Sequence, residues 1–422
     1  MWGLNYVRRC GGGGGPTGCY TASLLAKRDL DVHVLEEHSD VGKPVDCSGV
    51  ISSDAFAALN LPNDLKLGEI SNLTLISPSQ LEVRFSPSFP LALILDRAAF
   101  DREIANQTLA SGAAIHFGKR VVGLHPINNG VELDVRSTCN DHLSITSGQP
   151  LRVNGQSLLA NRQWGGDNLR VKLSARMVIL AGGPRYRLQK KLEMGAPLNF
   201  LRTAQIEVEA SGIGETKILM GSQVAPASFA WIVSFWREGR QFARIGVSAK
   251  QSATPFLTKL IDKLRSAGHL ISPSGPIRSW VIPVSPIKRT FADRVLAVGD
   301  AAGQTKPTTG GGIYYGLLCA EEAAKTTIGA FKKGNFSAPS LQSYEKSWRQ
   351  RLGMEIKVGA FFRRLVEKLS DKEIDDLFRI VQSDGILSAV NKKARFDWHR
   401  NIIYLALRHP GLGRIFLRGL FR

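Results

Sequence analysis

The most constraining feature of the chain is an apolar strand pattern that ends in Gly-Asp and leads to a run of glycines. Residues 295–298 read as a buried strand, and Gly299 and Asp300 follow it. Three glycines then precede an amphipathic helical pattern: Gly310, Gly311 and Gly312, with Ile313 as its first residue. An aspartate at a strand end can accept a hydrogen bond from a polyol hydroxyl, and N–H groups at a glycine-rich helix start can approach a flat, electron-rich ring. The pattern therefore predicts a site for a flavin, whose N1/C2 edge becomes negative on reduction.

A second dinucleotide-binding signature lies near the N-terminus. Three glycines have the spacing G-x-G-x-x-G: Gly13, Gly15 and Gly18. Residues 19–27 read as a helix, and residues 31–36 read as a strand that ends in Glu36. Glu36 lies 18 residues after Gly18, close to the spacing at which a carboxylate reaches a ribose hydroxyl in a βαβ unit. The two signatures together predict FAD, because a protein that binds only NAD does not need the Gly-Asp element.

The strand expected before the first glycines is unusual. Residues 4–10 contain Arg8 and Arg9, where a buried parallel strand carries Val or Ile. Burying unpaired arginines would cost several kcal/mol. We therefore expect this strand to be short and frayed, unless the start of the sequence is misassigned.

Basic residues strongly outnumber acidic ones. The 55 Lys and Arg against 36 Asp and Glu give a formal net charge of +19. Such a surface attracts polyanions, but no nucleic-acid-binding motif accompanies it, so no nucleic-acid partner is expected. Residues 392–422 combine eight basic residues with many apolar ones and read as an amphipathic helix broken at Pro410 and Gly411. This tail suits a membrane interface, and a helical cap packed on the core explains it equally well.

Several other classes of protein are disfavoured by the sequence. No apolar stretch reaches the length of about 18 residues that a spanning helix needs, and no signal-peptide core is recognisable. The five cysteines are scattered without a CxxC pair, and the eight histidines show no ligand spacing. Neither disulfides nor a metal site is therefore expected. We expect a cytoplasmic protein that associates peripherally with the inner face of the membrane.

The order of the patterns predicts an α/β fold, α+β overall. A Rossmann-type FAD-binding domain is interleaved with a mostly antiparallel β-sheet substrate domain, and C-terminal helices follow. The expected boundaries are residues 1–75, 96–190 and 278–330 for the FAD-binding domain, residues 76–95 and 191–277 for the substrate-binding sheet, and residues 331–422 for the helices.

These motifs, in this order, resemble the geranylgeranyl reductase family of flavoproteins. This is a branch of the p-hydroxybenzoate hydroxylase-like fold that saturates isoprenoid double bonds in archaeal lipids and chlorophyll side chains. The most specific part is Pro-Thr-Thr-Gly-Gly-Gly-Ile-Tyr-Tyr-Gly at residues 307–316, after Gly-Asp-Ala-Ala-Gly at residues 299–303. Further matches are the cysteine-containing segment 44–49, Asp96-Arg97, and Phe-Ala-Trp at residues 229–231. The resemblance covers nearly the whole chain.

The resemblance implies an FAD-dependent reductase of geranylgeranyl chains. Membrane ether lipids would be the substrate class, and NAD(P)H or a ferredoxin-like carrier would be the electron donor. The residues expected to hold FAD are Gly13, Gly15, Gly18, Glu36, Arg97, Gly299, Asp300, Gly310, Gly311, Gly312 and Ile313.

The same resemblance suggests which residues act on the substrate. Cys47 is the candidate that relays or donates the proton for alkene reduction, and a role as a small buried apolar residue is equally open. Phe229, Trp231 and Tyr314 are expected to line a prenyl tunnel, although aromatic residues on strands are often plain core.

Two alternatives stay open. An FAD-dependent monooxygenase or epoxidase would have the same fold. A catalytically impaired prenyl-lipid-binding flavoprotein is suggested by Arg8-Arg9 and by Gly182, which stands where the family usually has Asp.

Overall fold

The structure is a computed structural model, and it describes residues 5–8, 15–43, 45, 47–138, 152–153, 156–157, 170–271 and 275–420. The described strands are β1 Asn5–Arg8, β2 Val32–Leu35, β3 Val50–Ile51, β4 Lys66–Ile70, β5 Leu73–Ile76, β6 Glu82–Phe85, β7 Ala92–Leu95, β8 Ala114–His116, β9 Lys119–Ile127, β10 Gly130–Ser137, β11 Arg152–Val153, β12 Gln156–Ser157, β13 Arg170–Ala175, β14 Val178–Leu180, β15 Phe200–Glu209, β16 Thr216–Gly221, β17 Ala225–Arg237, β18 Arg240–Ala249, β19 Arg278–Pro283, β20 Phe291–Ala292 and β21 Val295–Ala297. The described helices are α1 Pro16–Ala26, α2 Ser53–Ala58, α3 Arg97–Ala110, α4 Arg187–Lys191, α5 Thr254–Ser266, α6 Ile313–Lys333, α7 Ala338–Val366, α8 Asp371–Ser383, α9 Ile386–Lys393, α10 Arg400–Arg408 and α11 Pro410–Leu420.

A six-stranded sheet carries both predicted signatures. Its order is β20-β21-β14-β1-β2-β8, and all pairs except β20/β21 are parallel. The strand predicted before the first glycines forms as β1 and pairs on both sides, with Val7 opposite Ile179 and Val34. It ends at Arg8, and Arg9 lies outside the described residues. Because β1 and β21 are parallel members of one sheet, their carboxyl ends bring α1 and the Gly-Asp element to the same edge.

The helix after the first signature begins earlier than the apolar pattern suggested. It runs over Pro16–Ala26, with Pro16 at its first position, where the missing N–H costs nothing. The helix after the three glycines begins at Ile313 as predicted, and Gly312 is its N-cap.

The second large sheet is the predicted antiparallel one. Its order is β19-β15-β18-β17-β16-β5-β6, and only β16/β5 is parallel. Helix α5 covers one face, where Leu257, Leu260 and Ile261 join the apolar residues of β15, β17 and β18.

The observed strand pairing departs from the expected boundaries. The strand β5 begins before residue 76, and β19 begins at residue 278. Both therefore start within the ranges expected for the FAD-binding domain, yet both pair in the antiparallel sheet. The strand β7 was expected there and instead pairs with β3 and β4. All four residues of β7 are buried, so it lacks the one-sided alternation of the large sheet. Tertiary pairing, which a local pattern does not encode, decides the sheet of such a short strand.

The C-terminal region is helical as predicted. The tail forms α10 and α11, with the break between His409 and Pro410. Four of its apolar residues are buried, since Ile403, Leu412, Ile415 and Phe416 are each at most 7% exposed. Others, such as Ile402, Leu405 and Leu407, are half-buried. The tail is therefore chiefly a cap packed on the protein. Among the described residues, no helix combines the length and apolarity needed to cross a bilayer.

Candidate active site

The predicted site residues converge on one cavity of about 740 Å³. It lies where the carboxyl edge of the parallel sheet, the antiparallel sheet and the C-terminal helices meet. The predicted residues that line it are Gly15, Cys47, Arg97, Phe229, Trp231, Asp300, Gly310, Gly311, Gly312, Ile313 and Tyr314. Segments from three distant parts of the sequence therefore share one site.

Three of the predicted residues that the structure describes do not line this cavity. Gly18 is buried inside α1, and Gly299 is buried at the end of the β21 segment. Glu36 lies at the end of β2, where only 2% of it is exposed. Gly13 lies outside the described residues, as do Pro44 and Asp46 of the cysteine-containing segment.

The Gly-Asp element and the start of α6 are packed directly together. A Cβ atom on Gly312 would lie 2.7 Å from Asp300 Oδ1, so only glycine lets the carboxylate lie against the helix start. In the described part of the chain, no side chain caps the N-terminus of α6. The Tyr186 hydroxyl donates to the Asp300 carbonyl at 2.7 Å and fixes the turn from behind. The Asp300 side chain and the first N–H groups of α6 thus form one polar edge of the cavity.

Arg97 supplies positive charge beside this edge. Asp96 caps α3 by accepting from the Ala99 N–H at 2.9 Å, and Arg97 then pairs with Asp101 one turn later. Burial lowers the pKa of Arg97, but the nearby groups Asp101, Cys47 and Asp300 outweigh burial and raise that pKa. Arg97 Nε is buried and has no hydrogen-bond partner among the described residues.

These residues fit FAD. The unpartnered Arg97 Nε–H suits an anionic or carbonyl oxygen, since a buried donor without an acceptor costs free energy. Asp300 suits a ribityl hydroxyl, and the uncapped starts of α1 and α6 suit the pyrophosphate and the electron-rich ring edge. Among the described residues, no group of three or more His, Cys, Asp and Glu is arranged to hold a metal ion.

Cys47 is half-buried in the cavity wall, and Arg244, which the sequence did not indicate, holds its segment. Its sulfur accepts a hydrogen bond from the Gly49 N–H at 3.4 Å. The Arg244 guanidinium donates to the Ser48 carbonyl at 2.7 Å and to the Leu95 carbonyl at 2.9 Å. Arg244 is 2% exposed and also pairs with Glu207. A fixed backbone at residues 47–49 holds the thiol in place.

Gln205 links Cys47 to the predicted substrate residue Trp231. Its Oε1 accepts from Trp231 Nε1 at 3.2 Å, and its Nε2 lies 3.4 Å from the Cys47 carbonyl. The ring of Trp231 fills the space beside Gly246, where any Cβ would overlap it. Nothing in the local sequence marks Gln205 or Gly246, because their roles come from strand pairing between β15, β17 and β18.

Much of the remaining lining is apolar, beside polar side chains such as Thr203, Thr216 and Ser248. Phe229 and Trp231 lie together on one wall, with ring centroids 6.0 Å apart. The antiparallel sheet contributes Leu73, Leu75, Phe85 and Ile218. The opposite wall comes from the C-terminal helices, which provide Val381, Ile386, Val390, Ile402, Ala406 and Leu412. We call this part of the cavity the apolar arm.

A second, polar cavity of about 1180 Å³ adjoins the first and shares Val45, Arg97 and Gln205 with it. Glu37, rather than Glu36, faces this cavity, and it pairs with Arg185 at 3.0 Å. The Glu36 carboxylate accepts from the His38 ring at 2.7 Å, which raises the pKa of His38. The role predicted for Glu36 stays a prediction, and Glu37 is a further candidate at the same end of β2.

Known proteins share the fold of this chain. Residues 12–48 match a family described as an NAD(P)-binding Rossmann-like domain. The fold matches a geranylgeranyl bacteriochlorophyll reductase-like protein from Thermoplasma acidophilum with a TM-score of 0.79, at 19% identity over 99% of this chain and 100% of that one. It also matches p-nitrophenol 4-monooxygenase from Pseudomonas putida with a TM-score of 0.66, at 17% identity over 98% and 99% of the two chains. The predicted α/β fold class is confirmed.

A sequence relative supports the resemblance that the motifs predicted. The chain is 27% identical over 381 residues to digeranylgeranylglycerophospholipid reductase 1 from Methanococcoides burtonii, covering 86% of this chain and 85% of the relative. The resemblance to the geranylgeranyl reductase family that the motifs predicted is confirmed over most of the chain.

Proposed function

We propose that the protein is an FAD-dependent reductase that saturates C=C bonds of isoprenoid chains, with geranylgeranyl ether lipids of membranes as the substrate class. One observation carries the proposal. The residues suited to a flavin ring, the Cys47 thiol and a long apolar arm all line the same cavity. An isolated alkene has no polar group, so its site should be apolar with one proton source beside the hydride donor.

FAD would be held at the carboxyl edge of the parallel sheet. The start of α1 would face the pyrophosphate, Asp300 would accept from the ribityl chain, and residues 310–313 would meet the ring. When bound and reduced, the flavin supplies the hydride. The start of α6 and Arg97 would favour negative charge on the ring.

The protein's own residues would supply the proton. Cys47 is held by the Gly49 N–H and by the Arg244 contacts to its segment, so the thiol is fixed relative to Arg97 and Asp300. It would donate to the alkene carbon that does not receive the hydride. Gln205 would hold Trp231 and the Cys47 carbonyl in fixed relative positions. Trp231 and Phe229 would hold the prenyl chain along the apolar arm.

The substrate also supports a position on a membrane surface. The outward side of α10 and α11 exposes Tyr404 and Leu417 together with Arg408, Arg414 and Arg418. These helices also form one wall of the apolar arm. A basic surface with two apolar side chains would dock on anionic headgroups, and a prenyl chain could then pass into the arm.

Anaerobic reoxidation separates the proposed function from a monooxygenase with the same fold. The FAD-loaded protein is reduced with dithionite without oxygen, and a geranylgeranyl lipid is added. We expect the oxidised flavin absorbance to return with the lipid and not with its saturated counterpart. Reoxidation that requires oxygen would favour the monooxygenase, and a protein that binds the lipid but retains no FAD would favour the impaired lipid-binding protein.

A further inference from the structure

A buried ion pair outside the proposed reaction joins the cofactor loop to the C-terminal helices. Lys306 Nζ lies 2.6 Å from Asp397 Oδ1, and the two side chains are 4% and 3% exposed. The ammonium also donates to the Phe396 carbonyl at 3.0 Å and lies 4.0 Å from the centre of the Phe396 ring. Among the described residues, the polar contacts of the Lys306 ammonium are all made with the segment just before α10.

The other end of Lys306 holds the loop that precedes α6. We call residues 306–312 the glycine loop. The Lys306 N–H donates to the Gly311 carbonyl at 3.0 Å, and the Lys306 carbonyl accepts from the Gly310 N–H at 2.8 Å. The side chain then passes beneath Gly311, where a Cβ would lie 2.6 Å from Lys306 Cε. The loop is thus closed by the backbone of Lys306 and supported from below by its side chain.

A second contact runs parallel to the first. Thr308 Oγ1 lies 2.6 Å from His399 Nδ1, and His399 Nε2 lies 2.9 Å from the Phe396 carbonyl. The carbonyl can only accept, so Nε2 carries the hydrogen and Nδ1 accepts from the Thr308 hydroxyl. Burial, with the Lys306 charge adding to it, lowers the pKa of His399 to about 4. The imidazole is therefore neutral near neutral pH, and this hydrogen bond persists there.

The segment held in this way is a wall of the apolar arm. We call residues 394–408 the C-terminal wall; Phe396, Ile402 and Ala406 from it line the cavity. A well-packed apolar pair would usually stabilise a protein core as well as a buried ion pair does. Asp397 Oδ2 even lacks a partner among the described residues. Stability alone is therefore a weak reason for this pair.

We propose that Lys306 is a positioning residue that ties the glycine loop to the C-terminal wall, so that ordering of the loop by the cofactor also orders the wall that receives the prenyl chain. The assignment of the two ligands rests on the proposed function. The tie itself rests on the contacts of Lys306 and Thr308. Two sites that share one ordered element are coupled, and the coupling is reciprocal.

Hydrogen–deuterium exchange of the protein without FAD tests the tie. The Lys306→Met variant keeps the stem and loses the ammonium. We expect amides of α10 to exchange roughly tenfold faster or more, because a buried charge pair to the wall is broken. The matched control is Lys325→Met, an exposed lysine on α6 that pairs with Glu322, and it should leave α10 unchanged. Unchanged exchange in Lys306→Met would overturn the proposal.

Addition of FAD tests the coupling. In the wild-type protein, FAD should slow exchange in both the glycine loop and the C-terminal wall. In Lys306→Met it should slow exchange in the glycine loop alone, an effect that a general loss of stability would not produce. The double variant Lys306→Met/Asp397→Leu removes both charges, folds without an unpaired carboxylate, and should behave in the same way. Equal protection of the wall in these variants would overturn the proposal. If FAD protects no segment of the wild type, the proposed function is contradicted, and the experiment without FAD still decides the tie.

Discussion

At the scale of single residues, the site depends on small side chains that leave room for charged ones. Gly312 leaves room for the Asp300 carboxylate, and Gly311 leaves room for the stem of Lys306. The same arrangement leaves the first N–H groups of α6 without a side-chain cap. A ligand with an electron-rich edge is then the natural partner of that helix start.

The first prediction concerns Asp300. Replacing it by Ala removes a charged acceptor for the ribityl chain, which should cost ~1.5–3 kcal/mol, or one to two decades in FAD affinity. Flavin absorbance and equilibrium titration with FAD measure this loss. Asp262→Ala, on the exposed side of α5, is the control and should titrate like the wild type. FAD affinity unchanged in Asp300→Ala would remove Asp300 from the site.

The second prediction concerns Cys47. The Cys47→Ala variant should keep FAD but reduce the alkene ~100-fold more slowly or worse, the usual contribution of a positioned acid. Cys47→Ser should retain part of the activity, because a hydroxyl can also relay a proton. Single-turnover reoxidation by a prenyl lipid measures the rate. A turnover rate in Cys47→Ala equal to that of the wild type would make Cys47 a packing residue.

Local sequence patterns were sufficient to predict those cavity residues that are positioned by the end of a helix or strand. This holds for Asp300, Gly310–Gly312 and Arg97, because each lies next to the turn that fixes its position. Gln205 and Lys306 were not predictable, because their partners lie 26 to 158 positions away in the sequence and only tertiary pairing brings them together. The Glu36 carboxylate is bonded to His38, and Glu37 faces the polar cavity. Spacing alone does not distinguish these two acids, and the role of Glu36 stays a prediction.

At the scale of elements, the edge of the parallel sheet contains a buried histidine pair. His33 of β2 and His116 of β8 are stacked, with His33 Nδ1 2.8 Å from His116 Nε2. His33 Nε2 lies 3.0 Å from Asp31. Burial, together with the His33 charge, lowers the pKa of His116 to about 3. The pair of strands β2 and β8 is therefore formed with His116 in its neutral state.

The third prediction follows from the sign of that shift. Between pH 6.5, the ordinary pKa of histidine, and about 3, the unfolded chain binds a proton at His116 that the folded protein does not. The free energy of unfolding should therefore fall as pH falls, by up to about 2 kcal/mol from this residue between pH 7 and pH 5. Urea unfolding of His116→Gln should show a correspondingly smaller fall than the wild type. His125→Gln, at an exposed site on β9, is the control, and an equal pH dependence in all three proteins would contradict the account.

At the scale of the whole molecule, the C-terminal cap carries part of the excess positive charge. The net charge is +19, and the outward side of α10 and α11 carries part of it. The sequence predicted that the tail is basic and amphipathic. It could not decide which apolar residues stay outside, because that depends on packing against α7 and α8. The buried Leu412 and Phe416 also make removal of the tail a poor test of docking, since truncation would open the core.

The fourth prediction therefore uses charge rather than truncation. The triple variant Arg408→Gln/Arg414→Gln/Arg418→Gln should weaken binding to anionic vesicles by ~3 kcal/mol, about two decades, at ~1 kcal/mol per basic residue. The matched control is Lys259→Gln/Lys263→Gln/Arg265→Gln, the same change on the exposed side of α5. Vesicle pelleting at several salt concentrations measures both. Equal binding by the two variants would place docking elsewhere on the surface.

The central claim, reduction of isoprenoid double bonds, is tested most directly by mass spectrometry of the lipid product. The purified protein is loaded with FAD, reduced without oxygen and incubated with a geranylgeranyl ether lipid. The account predicts products heavier by two hydrogens for each saturated bond, formed by the wild type and largely lost in Cys47→Ala. A lipid that gains an oxygen atom in air, or that stays unchanged while the FAD-loaded protein binds it, would contradict the account.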